Sequence, residues 1–274
     1  MSERILAQLA AADPVMARLI EAVGPFGLVP KAADAPFRHL ARAITYQQLN
    51  GIAAGTIFRR LVALFHPDDP EAFPSPAELL AMPDARLRAA GYSASKIAAL
   101  KDLSAKALDG IVPDTATLLP LDDDAIVARL TAVRGIGRWT VEMMLMFQLG
   151  RPDVLPVDDF GVRNGFRLAY GLRAMPAPRA LAQFGARWAP QRSAAAWYLW
   201  RACDLHKAGR LPAPLRPAPR LRAPAKRKAK AKAKAKAKAK AMLKVKTKPS
   251  ANARARRPST SGLRTPAASS RARR

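Results

Sequence analysis

Asp158 and Asp159 stand side by side just after Pro156, in the run Leu155-Pro156-Val157-Asp158-Asp159-Phe160-Gly161-Val162-Arg163. Aspartate after a proline marks a helix start, where one carboxylate ordinarily accepts the first free amides. One of the pair can serve as that cap, which leaves the other for chemistry. A fixed anion can stabilise positive charge that builds on a bound substrate, or orient and deprotonate a water. About twenty residues upstream lies Val133-Arg134-Gly135-Ile136-Gly137-Arg138-Trp139-Thr140. Gly135 and Gly137 allow a tight turn between two helices, with positive φ and close backbone approach. The freed amides at the start of the second helix then point outward, where a phosphate can sit. An ordinary interhelical turn has the same glycines, so it is the pairing of turn and carboxylates that carries the signal.

Other chemistries are excluded by composition. The one cysteine, Cys203, can form no internal disulfide and no thiolate metal or iron–sulfur site. The three histidines, His39, His66 and His206, are scattered. No apolar stretch is long enough to span a bilayer as a helix. The first fifteen residues carry an early acid and do not read as a secretory leader. These features set the expectation of a cytoplasmic, nucleoid-associated protein.

Charge divides the chain in two. The 274 residues hold 47 Lys and Arg against 20 Asp and Glu, a net charge of +27. No acid follows Asp204, while 22 basic residues lie between Arg216 and Arg274. The first 215 residues are therefore close to +5 and the remainder +22. Residues 1–208 read as one helical domain, and 209–274 as a Pro-, Ala-, Lys- and Arg-rich tail. Lysine occupies every even position from 228 to 240, which would put like charges on all sides of a helix, so the tail is expected to be disordered. Such a segment suits a polyanion, with nucleic acid first and no membrane partner expected, and its binding would be salt-dependent.

The elements that must position the turn and the carboxylates are all helical. Ala, Leu and Arg dominate, and alternating β-branched runs are nearly absent. Asp13-Pro14 opens one helix reaching Gly24; a second spans about Pro36–Ile44; Gln47 opens a third toward Phe65. Ser75-Pro76-Ala77-Glu78 is a capping-box start, and Ser93 through Lys96 begins a helix that ends at Gly110. Further helices cover Asp122–Val133, Arg138–Leu149, about Asp158–Tyr170, 178–188 and 191–207. The fold class is all-α, with about ten short helices.

The combination of VRGIGRWT (133–140) with LPVDD (155–159) resembles the helix-hairpin-helix DNA glycosylase superfamily. ARAITYQQLNGIAA (41–54) and RWAPQRSAAAWYLW (187–200) are similar to two segments of its 3-methyladenine DNA glycosylase II branch, in the compact form without an N-terminal mixed α/β domain. The resemblance covers roughly residues 10–205. It implies two helical subdomains with a cleft, a monomer, double-stranded DNA as partner, and hydrolysis of the N-glycosidic bond of alkylated purines after base flipping. By the register Pro156-Val157-Asp158, with Arg163 following, the resemblance makes Asp158 the catalytic carboxylate and Asp159 the alternative.

The same resemblance assigns the other roles. Trp139 stands where a bifunctional enzyme carries lysine, so no Schiff base or lyase step is expected. Trp139, Trp200, Tyr46 and Met143 would line the base pocket, with Trp197 and Tyr198 nearby; Met143 replaces the tyrosine of a well-known relative. Electron-rich rings there would attract a cationic alkylated base. Gln48 would fill the gap left by the flipped base. Gly135, Gly137 and Thr140 would donate backbone amides to a phosphate, with Gln47, Lys96 and Arg138 as further DNA contacts. No cofactor is required; the carbonyls of Thr131, Val133 and Ile136 would hold a structural Na+ or K+. A non-catalytic DNA-binding or architectural protein, and a glycosylase for oxidised or deaminated bases, are the competing readings. The carboxylate after the hairpin argues against the first, and Trp139 in place of lysine against the second.

Overall fold

A computed structural model of the chain describes residues 3–30, 35–215 and 221. The expected disorder and DNA contact of the tail lie outside these residues. The described residues form thirteen α-helices and no strand. In order they are α1 (Glu3–Ala12), α2 (Pro14–Val23), α3 (Pro36–Tyr46), α4 (Gly51–Ala63), α5 (Pro76–Ala81), α6 (Asp84–Ala89), α7 (Ala94–Leu108), α8 (Thr115–Leu118), α9 (Asp123–Leu130), α10 (Arg138–Phe147), α11 (Phe160–Ala169), α12 (Pro178–Gly185) and α13 (Arg192–Lys207). A 3-10 turn at Ala186–Trp188 joins the last two.

Local chemistry accounts for most of the starts. Asp13 accepts the Val15 amide at 3.0 Å, Ser75 and Glu78 form a reciprocal capping box, and Ser93, Asp114 and Asp122 each accept an amide of the following turn. One start differs from expectation. Gln47 does not open α4; Asn50 does, its side chain accepting the Ala53 amide at 2.9 Å. Residues 47–50 are a turn, and Gln48 holds a φ of +58°, a left-handed conformation unfavourable for a side chain with Cβ.

Two sets of helices share one core. In the first, α3 packs on α4, α7 and α10, while α5 and α6 pack on α7 and α9 on α10. In the second, α13 packs on α2 and α11, with α1 on α2. The long α13 is buried nearly all round: Ala194, Ala195, Ala196, Tyr198, Leu199 and Ala202 are all inaccessible. Its small residues let α11 approach closely. A Cβ on Gly165 would lie 1.9 Å from the Leu199 carbonyl oxygen, so only glycine fits where the two backbones meet. The chain does not leave the body at residue 209. Leu211, Pro212, Ala213 and Leu215 lie against Val15, Arg18 and Leu19 of α2, and Arg18 donates to the Ala213 carbonyl at 2.7 Å.

Asp13 proves to be more than a cap. It is buried, and besides the Val15 amide it accepts the Tyr170 hydroxyl at 2.7 Å and the Trp188 indole N–H at 3.0 Å. It thereby ties α2 to the end of α11 and to the turn before α13. Asp13→Ala would strand a buried hydroxyl and a buried indole N–H. The expected loss is about 3–5 kcal/mol in urea unfolding, with Asp13→Asn losing less because it keeps an acceptor oxygen.

Candidate active site

The turn between α9 and α10 is the hairpin anticipated from Gly135 and Gly137. Gly135 has a φ of +80°, and the Ile136 amide donates to the Val133 carbonyl at 3.1 Å. Ile136 and Val133 are buried between the helices. The hairpin is held from below by α7. Asp102 accepts the Arg134 amide at 2.6 Å and the Lys106 ammonium at 2.5 Å, and Ala99 lies 3.5 Å from where a Gly135 Cβ would be. Those two donors keep the Asp102 carboxyl below its usual range in spite of partial burial. No sequence signal marks Asp102, which lies 32 residues before Arg134 of the hairpin.

The outward amides are those of Gly135 and Gly137 and of the first turn of α10, which precede any intrahelical acceptor. Thr140 does not belong with them. Its amide donates to the Gly137 carbonyl at 3.0 Å, and its side chain turns inward to line a cleft. Arg138 is also engaged. Its guanidinium donates to Glu142 at 3.0 Å and to Asp124 at 3.1 Å. Burial raises the Glu142 carboxyl against the opposing effect of Arg138, and Asp158 and Asp124 nearby push it the same way.

The cleft, about 440 Å³ in volume, runs between α3 and α10. His39, Ala43 and Tyr46 line it from one stripe of α3; Trp139, Thr140 and Met143 line it from α10; Gln47, Gln48 and Gly135 complete it. Tyr46, Trp139 and Met143 are thus together, whereas Trp200, expected with them, is not in the lining and meets Asp159 instead. His39 and Ala43 were not anticipated, although their spacing to Tyr46 follows a helix face. Arg42 lies over the Tyr46 ring at 4.6 Å from its centre.

Trp139 joins this cleft to the carboxylates. Its indole N–H donates to Asp159 Oδ2 at 2.8 Å. Trp200 of α13 donates to Asp159 Oδ1 at 2.8 Å, and the Val162 amide donates to the same oxygen at 2.7 Å. A single aspartate therefore caps α11 and holds both tryptophans. Asp158 is exposed on the turn before it. Of the two carboxylates Asp159 is the cap, and its two oxygens also take both indole N–H groups. Phe147 stacks on Trp200 with ring centres 5.6 Å apart, and a Cβ on Gly161 would lie 2.7 Å from the same indole.

Two neighbouring aromatics stand elsewhere. Tyr198 is fully buried and donates to the Gly24 carbonyl at 3.0 Å, and Trp197 packs edge-on against Phe26 at 5.1 Å. Both belong to the α2–α13 core. Lys96 is also used internally: its ammonium donates to the Thr45 carbonyl at 2.6 Å at the end of α3, and burial lowers its pKa. Among the described residues no cluster of His, Cys, Asp or Glu could hold a metal ion.

The chain is similar to known proteins. Residues 41–191 match the HhH-GPD superfamily of base excision DNA repair proteins. Over 170 residues the chain is 39% identical to DNA-3-methyladenine glycosylase 1 of Schizosaccharomyces pombe, covering 62% of this chain and 73% of that protein. The structure of a 3-methyladenine DNA glycosylase of the same yeast in complex with abasic DNA superposes with a TM-score of 0.64 at 36% identity, covering 72% of this chain and 95% of that one. A DNA-3-methyladenine glycosidase from Bacillus halodurans superposes with a TM-score of 0.67 at 33% identity, covering 74% and 91%.

If the Lys96 ammonium serves Thr45 rather than a phosphate, Lys96→Ala should lower stability by about 1 kcal/mol. The slope of log K against log salt for duplex binding should stay that of the wild type, whereas loss of a phosphate contact would make it shallower by about one unit.

Proposed function

The chain belongs to the HhH-GPD superfamily of base excision DNA repair proteins, and on that premise we propose that it is a monofunctional DNA glycosylase releasing alkylated purines such as 3-methyladenine and 7-methylguanine. The observation that carries this reading is the Asp159 carboxylate, held by two indole N–H groups beside a cleft lined by Tyr46, Trp139 and Met143. An architectural DNA-binding protein has no use for that arrangement.

Asp159, rather than Asp158, is the catalytic carboxylate in this proposal. Breaking an N-glycosidic bond builds positive charge on the sugar ring, and an anion fixed before the reaction stabilises it without reorganising. Three N–H donors fix Asp159, and Oδ2 keeps a lone pair for the sugar or for a water. The aromatic cleft beside it suits a flipped, cationic base, whose charge is attracted to the ring faces. No lysine lines the cleft, which supports simple hydrolysis over a Schiff-base route.

The hairpin amides grip a phosphate near the flipped nucleotide in this reading, and Gln48, exposed in its left-handed turn, enters the space the base vacates. The carbonyls of Thr131, Val133 and Ile136 lie in the turn between α9 and α10, where a monovalent cation is proposed to sit; the Val133 carbonyl also accepts the Ile136 amide. When bound it would offset the carbonyl dipoles behind the phosphate. No cofactor takes part in the chemistry. The enzyme acts as a monomer on double-stranded DNA, with the nucleoid as its location, and the tail adds sequence-independent contacts.

Asp159→Asn should abolish release of 3-methyladenine and 7-methylguanine from methylated duplex, with a rate loss on the order of 10² or more, while Asp158→Asn stays within about threefold of wild type. The reverse pattern would return the role to Asp158, and a wild type that releases no alkylated base would end this reading. Truncation after residue 215 should leave the bases released unchanged and make the salt dependence of binding clearly shallower.

A further inference from the structure

Gln47 is placed to do something other than contact DNA. Its side-chain amide donates to the Gly135 carbonyl at 2.8 Å, so a residue of the α3–α4 turn is tied to the glycine that shapes the hairpin. The next residue is Gln48, exposed and left-handed. That conformation is unfavourable for a residue with a Cβ and persists where its surroundings impose it. Lys96 holds the start of this turn through the Thr45 carbonyl, and Asn50 closes its end by capping α4. The hairpin is separately seated on α7 through Asp102 and Ala99. Gln47 therefore bridges two units that are both anchored on α7, one by Lys96 and the other by Asp102 and Ala99.

We infer that Gln47 is a positioning residue that sets the offset between the side chain entering the base stack and the amides gripping the phosphate. A duplex fixes the distance between a phosphate and the neighbouring base step. A wedge that floats relative to the hairpin arrives out of register, and misplacement of about 1 Å costs on the order of 10²-fold in rate. Gln47 also lines the cleft, and the role inferred for it runs through Gln48. The inference rests on the glycosylase reading for its rate arm and on DNA binding alone for its affinity arm.

The test uses the full chain with Gln47→Ala and Gln47→Glu, the second being nearly isosteric and turning an oxygen toward the Gly135 carbonyl. Affinity is measured for an undamaged duplex and for the same duplex bearing a tetrahydrofuran abasic analogue, with single-turnover release of 7-methylguanine alongside. Preference for the abasic duplex is expected to fall about tenfold, and the release rate by a similar factor at little change in substrate affinity. Repeating Gln47→Ala in a Gln48→Ala background should give no further loss of preference, as a residue acting through Gln48 requires. Unchanged preference in both variants would overturn the inference. So would equal loss of affinity on both duplexes, which would make Gln47 a backbone contact. If wild type releases no base yet the preference behaves as expected, the glycosylase reading falls and the positioning role stands.

Discussion

A carboxylate that accepts three N–H groups from three helices is the constraint on which the rest of the site depends. Asp159 takes an amide from its own helix α11, an indole from α10 and an indole from α13. Helix α10 belongs to the set around α3 and α7, whereas α11 and α13 belong to the set around α2. The aspartate is thus a polar link between the two sets at the edge of the cleft. It orients Trp139 and Trp200, and they in turn fix the plane of the carboxylate. A group held this way is pre-organised for charge that appears elsewhere.

That link works only because the backbones behind it meet closely. Gly165 admits the Leu199 carbonyl and Gly161 admits the Trp200 ring, so α11 can lie against α13 with the indole reaching the helix start. The alanines of α13 and the Asp13 bonds to Tyr170 and Trp188 secure the same pair of helices from the other side. Stability and chemistry share residues here, as functional sites on rigid elements require.

The second shared feature is that cations read as DNA contacts are partly spent inside the protein. Lys96 closes the end of α3, and Arg138 sits between Glu142 and Asp124. What faces outward at the hairpin is the backbone of Gly135 and Gly137 together with the exposed side chains of Arg134 and Trp139. An interface of that kind grips any sequence, which is what an enzyme searching for rare damaged bases needs, and it leaves discrimination to the cleft.

The resemblance to a known family pointed to Tyr46, Trp139 and Met143; the sequence by itself determined the helical class, most helix starts and the hairpin. These follow from short-range rules: caps act within three residues, periodicity within a few turns, and a glycine turn within its own four residues. The register Pro156-Val157-Asp158 pointed to Asp158, but adjacent residues share every local signal, and which of the two the tryptophans reach is not among those signals. The same holds for Asp102 beneath the hairpin, for Gln47 on Gly135, for Asp13 as a buried hub and for the core placement of Trp197 and Tyr198. Each of these depends on a partner thirty or more residues away, or on which face of a helix meets another. Only the packed tertiary structure decides that, because direction and distance across the core are not encoded in spacing along the chain.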